Sequence, residues 1–189
     1  MSKTTLTHQL TETVEELSCL QSLKGLFHQH RDGNPLPSGK ALEEIIDLSR
    51  SILFPGYFGN SSVNISTIKY HIGVRLEKLY ARLSEQILAG LCFTNECEEE
   101  TTQELSMARA RASIMAAQAI NTFPKLRKIL ATDVEAAFEG DPAAKSIGEI
   151  IACYPVIKAL ANYRVAHELS ILGVPLIPVS YTHLRAHET

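Results

Sequence analysis

The chain has no tryptophan, only 6% aromatic residues, and four cysteines in 189 residues. Cys19, Cys92, Cys97 and Cys153 are scattered without a Cys-x-x-Cys pair, so neither a zinc site nor a disulfide framework is suggested. Cys92 and Cys97 lie close enough to raise redox regulation, but reduced thiols near helix ends are the ordinary expectation. Charge of one sign is also lacking. Eighteen basic residues against twenty-one acidic ones give a net charge of −3, so there is no electrostatic footprint for nucleic acid. No apolar run approaches the roughly 20 residues that span a bilayer, and the start Met-Ser-Lys-Thr-Thr has no apolar core of a signal peptide. The expectation is a cytoplasmic protein with no membrane and no nucleic-acid partner.

What is present is helical periodicity. With 45% hydrophobic residues the chain can bury a core, and its length suits one domain. Residues 7 to about 30 place Leu10, Val14, Leu17, Leu20 and Leu23 at spacings of three and four. Turn formers at 31–38 end that element, and Ser38 is placed to cap a second helix to Leu53 with Leu42, Ile45, Ile46 and Leu53 inward. Phe54-Pro-Gly-Tyr-Phe-Gly59 breaks it. Ile65, Ile68, Ile72, Leu76, Leu79, Leu83 and Ile87 follow a 3-4-4-3-4-4 rhythm, a narrow seam suited to packing on another helix. An acidic stretch before about residue 101 favours the start of the next helix, through the helix dipole. A helix from Phe123-Pro124 to Glu139 follows, with Gly140 as terminator. The last runs from Tyr154-Pro155, buries Ile157, Ala161, Val165, Leu169 and Leu172, and ends at Gly173. No strand pattern appears before Pro178, so the fold class is all-α, a helical bundle.

Gly140-Asp141-Pro142 is the pivot. Proline disfavours the α region for the residue before it, so Asp141 must leave its helix and its carboxylate is fixed in space. Asp133 falls on an apolar stripe with Leu126, Leu130 and Ala137 and needs a partner, which Arg127, Lys128 or Arg164 could supply. Arg164 and His167 lie one turn apart. His167 could act as a general base if it stood in a cleft, although a lone helical histidine is more often a packing residue. From spacing alone, a turn cap is the better reading of Asp141. His183 and His187 are four apart but lack the glutamate of a His-Glu-x-x-His motif and a third ligand, so no metal site is expected.

Ala131-Thr-Asp-Val-Glu-Ala-Ala-Phe-Glu-Gly-Asp-Pro-Ala-Ala144, Asn162-Tyr163-Arg164-Val165-Ala166-His167 and Leu172-Gly-Val-Pro-Leu-Ile-Pro178 together resemble the end of the α-helical N-terminal domain of serine O-acetyltransferases. Phe54-Pro-Gly-Tyr-Phe-Gly59 points to a bacterial subgroup of that family, and the resemblance covers roughly residues 40 to 178. It implies acetyl transfer from acetyl-coenzyme A to L-serine in cysteine biosynthesis, with Asp141 at the serine site pairing with the substrate ammonium. Asp133 would be a second acid of the motif, and Arg164 and His167 weaker candidates. It also implies a homo-oligomer, a trimer or hexamer when complete, and contact with O-acetylserine sulfhydrylase through the extreme C-terminus.

The family's catalytic histidine and coenzyme A cleft belong to a left-handed β-helix of hexapeptide repeats, which these residues do not contain. The expectation is therefore a helical domain over 1–178, with no catalytic residue and no bound cofactor of its own, inactive alone. Residues 179–189 look like one reading frame of a sequencing adapter and are set aside as a non-native tail. A free-standing helical interaction module, using the seam as its contact surface, is the competing expectation.

Overall fold

The computed structural model describes residues 3–27, 36–59, 63–94 and 102–179. They form α1 (Lys3–Ser18), α2 (Leu20–Leu23), α3 (Gly39–Leu53), α4 (Ile68–Phe93), α5 (Thr102–Asn121), α6 (Phe123–Gly140), α7 (Ile147–Cys153) and α8 (Pro155–Ile171). No strand occurs among the described residues, in line with the all-α expectation. None of the described helices is long and apolar enough to cross a membrane. His28, His30, Cys97, the acidic stretch before α5 and the His183/His187 pair lie outside the described residues.

The chain divides into two units, Met1–Asn34 and Pro35–Thr189. In the first, the expected single helix over residues 7 to 30 is corrected to α1 and the one-turn α2. Cys19 is extended between them (φ −64°, ψ 127°), and the Ser22 hydroxyl donates to the Glu16 and Cys19 carbonyls at 2.9 and 2.8 Å. A serine that takes backbone partners in this way competes with the helix ladder. Lys24 and Gly25 then both adopt positive φ, which stops α2. Leu10, Val14, Leu17 and Leu20 are exposed rather than buried.

In the second unit α3 packs on α4 and α8, α4 on α5, and α6 on α7 and α8. The α3 cap is as expected. Ser38 is extended, its hydroxyl accepts from the Ala41 N–H at 3.3 Å, and its own N–H donates to Gln86 Oε1 on α4 at 2.8 Å. Leu42, Ile45, Ile46 and Leu53 are buried. The Phe54–Gly59 loop ends α3 through Gly56 and Gly59, both at positive φ, with Phe54 and Phe58 edge to face at 5.8 Å. The last turn of α3 is also held from outside, because the Arg127 guanidinium of α6 donates to the Ile52 carbonyl.

The seam on α4 is realised in its second half. Leu79, Leu83 and Ile87 are buried, Ile72 and Leu76 partly so, and Ile65 is 95% exposed, outside the helix. The cause is Asn64, whose side-chain oxygen accepts from the Ser66 and Thr67 N–H groups at 3.1 and 3.0 Å and sets a turn that delays the helix to Ile68. Opposite the seam, α5 buries small side chains, Ala112, Ala116 and Ala119. Gly90, near the end of α4, lies beneath the 174–178 segment: a Cβ there would stand 3.0 Å from the Pro175 carbonyl oxygen.

The end of α8 is a Schellman turn. Gly173 (φ +71°) donates to the Ser170 carbonyl and Val174 to that of Leu169, both at 3.0 Å, and Leu169 and Val174 are both buried.

Candidate functional site

The site is built around two residues that each precede a proline. Asp141 follows α6 in an extended conformation (φ −119°, ψ 101°), and Tyr154 lies between α7 and α8 with φ −82°, ψ 120°. Pro142 and Pro155 disfavour the α region at both positions. Gly140 is not the terminator expected of it. It is the last helical residue and does not adopt positive φ, so the restriction from Pro142 ends α6.

Between the two lies α7. Its N-terminus is closed by Ser146, whose hydroxyl accepts from the Glu149 N–H at 3.2 Å, while the Glu149 carboxylate accepts from the Lys145 N–H at 2.9 Å. This is a variant of the capping box. At its other end the Tyr154 N–H donates to the Ile150 carbonyl at 3.2 Å. The Tyr57 hydroxyl, in the Phe54–Gly59 loop, stands 3.4 Å from where a Cβ on Gly148 would lie, so that loop packs against α7.

Asp141 uses both carboxylate oxygens. Oδ1 accepts from the Ala143 N–H at 2.9 Å, Oδ2 accepts from the Tyr154 hydroxyl, and the Asp141 carbonyl closes the turn by accepting from the Ala144 N–H at 3.0 Å. The Tyr154 hydrogen bond, then that from Ala143, hold the Asp141 carboxyl below the usual range, against the opposing effect of partial burial. The same bond, with burial and the nearby charges of Asp141, Glu149 and Cys153, pushes the Tyr154 phenol up to about 12. At neutral pH this is a charged carboxylate held by a neutral donor. Tyr154 was not singled out from the sequence, although Tyr154-Pro155 repeats the Asp141-Pro142 pattern.

Asp133 and Arg164 meet as a pair across α6 and α8. Arg164 Nη2 and Nε donate to Oδ1 and Oδ2 at 2.6 and 2.8 Å. Arg127, a second cation considered for Asp133, reaches the Ile52 carbonyl instead. His167 is exposed on α8 and stacks on Tyr163 at 5.9 Å. Among the described residues no group of three or more His, Cys, Asp or Glu could hold a metal ion.

One other concavity carries charge. An open cleft of about 800 Å³ between α3 and α4 is lined by Lys40, Glu43, Glu44, Asp47, Arg75, Lys78 and Arg82 among others. Glu44 accepts from Lys78 Nζ at 2.5 Å and Arg82 Nε at 2.9 Å, so these three charges of the cleft satisfy one another. The Lys78 hydrogen bond is the main reason the Glu44 carboxyl lies below its ordinary range.

The chain is 41% identical, over 146 residues, to the plasmid-encoded serine acetyltransferase of Synechococcus elongatus. The chain is a homologue of the serine acetyltransferases. That alignment takes in 76% of this chain and 45% of the relative, so the homologue spans under half the length of that protein. A serine acetyltransferase of Synechocystis is 42% identical over 55 residues, 29% of this chain and 22% of that protein. No protein-family model matches.

Among solved structures, Entamoeba histolytica serine acetyltransferase 1 in complex with L-cysteine superposes with a TM-score of 0.58 at 23% identity, over 97% of this homologue and 57% of that chain. Isoform 3 from the same organism, in complex with cysteine, gives 0.59 at 20% identity, over 95% and 54%. The likeness establishes a shared fold.

Proposed function

We propose that this chain is the helical, serine-positioning part of a serine O-acetyltransferase. The reaction joins the serine hydroxyl oxygen to the acetyl carbon of acetyl-coenzyme A. The carbon–sulfur bond breaks, the hydroxyl proton passes to a base, and the thiolate leaves to be protonated as coenzyme A. The role assigned to this chain lies upstream of bond making: Asp141 pairs with the substrate ammonium and fixes the amino acid for attack.

The observation that carries this reading is the Asp141 carboxylate, ionised at neutral pH and held at both oxygens by uncharged donors. Such a group keeps its full charge for an incoming cation. The homology to serine acetyltransferases supplies the substrate class. Asp133, paired with Arg164, is assigned to holding α6 on α8 rather than to substrate. His167, stacked on Tyr163, is given no catalytic role. We take the setting to be cytoplasmic, where acetyl-coenzyme A is made and used. We also take the complete protein to be a homo-oligomer, which agrees with the exposed Tyr70 and Val74 on α4.

The test is thiol release from acetyl-coenzyme A in the presence of L-serine. In the complete gene product, Asp141→Ala should weaken serine use roughly ten- to a hundredfold, the range for losing a hydrogen bond to a charged group, with the helical signal unchanged. Kinetics equal to wild type would return Asp141 to a turn cap. The 189-residue chain alone should release no thiol.

A further inference from the structure

A carboxylate that only capped the turn at Pro142 would need one oxygen, the one that accepts from the Ala143 N–H. The second oxygen is taken by Tyr154, thirteen positions further on and across α7, and the turn itself does not require that bond. We infer that Tyr154 is a positioning residue, whose hydroxyl orients the Asp141 carboxylate toward the ammonium of the amino-acid substrate. The inference rests on the reading of Asp141 just given.

Three features support it. Both side chains are half-buried, but the Tyr154 ring also packs against the hydrophobic core, which gives the tyrosine an anchor independent of its bond to Asp141. Tyr154 is also fixed through its backbone, by Pro155 after it and by its N–H bond to Ile150 at the end of α7. The chemistry of the donor matters as well. A lysine or arginine in its place would neutralise the carboxylate and compete with the ammonium, whereas a phenol fixes the geometry and leaves the charge.

A carboxylate has about four acceptor positions, so two held from within the protein leave roughly two for the substrate. The charges around the phenol are all on one side of the balance. Asp141, Glu149 and Cys153 each disfavour its ionisation, and the phenol remains a donor to about pH 12.

The experiment compares Tyr154→Phe, Asp141→Asn and the double variant in the complete gene product, measuring serine kinetics against pH and thermal unfolding. With Tyr154→Phe, the KM for serine should rise about tenfold, with kcat changed less, since one hydrogen bond to a charged group is lost. The acid limb of kcat/KM should move to higher pH, because the bond that most lowers the Asp141 carboxyl is gone. The double variant should be no worse than Asp141→Asn.

If Tyr154→Phe lowers only the unfolding midpoint, leaving KM and the acid limb in place, Tyr154 is a structural tie and the inference fails while the Asp141 reading stands. If Asp141→Asn itself behaves as wild type, the reading of Asp141 fails. Should Tyr154→Phe not fold, 3-fluorotyrosine at position 154 keeps the ring and makes a stronger donor. The acid limb should then shift to lower pH, and an unmoved limb overturns the inference.

Discussion

Arg164 grips Asp133 with two parallel hydrogen bonds, Nη2 to Oδ1 at 2.6 Å and Nε to Oδ2 at 2.8 Å, and so ties α8 to α6. The side chains are 25% and 18% exposed, between the surface regime, where a pair contributes little, and full burial, where removing one partner is severe. Denaturant unfolding of Arg164→Ala, Asp133→Ala and the double variant should give a coupling of about 1–2 kcal/mol. Arg164→Lys should recover less than half of it, because an ammonium cannot make the forked contact. A coupling near zero would mean the two helices are held by packing alone.

Two glycines on α4 should respond to alanine in opposite directions. At Gly73 nothing lies within 4 Å of a new Cβ, so Gly73→Ala should stabilise by up to about 1 kcal/mol through helix propensity. At Gly90 the Cβ would meet the Pro175 carbonyl oxygen at 3.0 Å and its ring at 3.2 Å. Backbone cannot give way as a flexible side-chain end can, so Gly90→Ala should destabilise despite the same propensity gain. Thermal unfolding of the two variants side by side decides it.

Ser38→Ala removes the hydroxyl that accepts from the Ala41 N–H. A loss of about 1 kcal/mol is expected, as for other N-caps. Ser38→Asp should retain most of it, because aspartate caps as well as serine. The Ser38 N–H bond to Gln86 Oε1 belongs to the backbone and should survive both changes. Gln86→Leu is therefore expected to add its own separate loss in denaturant unfolding.

Alkaline titration should show one tyrosine ionising near pH 12, by ultraviolet difference absorbance, and Asp141→Asn should lower its midpoint. The fold favours the protonated phenol, so the contribution of this bond is complete below about pH 10, where an unperturbed tyrosine ionises, and fades as pH climbs through 12. Asp141 behaves in the mirror sense. Its carboxyl is lowered in the fold, so its contribution is complete above about pH 4 and disappears as pH falls through the folded value.

Local rules made much of this architecture legible. Ser38, the stripe of Leu42, Ile45 and Ile46, the Gly173 turn and the extended backbone at Asp141 all follow from short-range preferences, and the structure agrees at each. Where nearby side chains competed with the helix ladder, the sequence misled: Asn64 delayed α4 past Ile65, and Ser22 helped break the first helix at Cys19. The choice among Arg127, Lys128 and Arg164 for Asp133 could not be made locally, because it depends on how α8 returns over α6 through the 141–154 connection. Tyr154 was missed for the same reason. Its partner is close only once α7 has formed.

Arg127 completes α3 by serving its terminal Ile52 carbonyl from a different helix. The last carbonyls of a helix have no intrahelical partner and are ordinarily satisfied by caps, by water or by a tightened last turn. Here the end of one helix depends on another arriving 75 positions later, so the two should gain and lose order together. Amide exchange at the end of α3 would then report the docking of α6, and loosening one helix by mutation should release protons from both at a common rate.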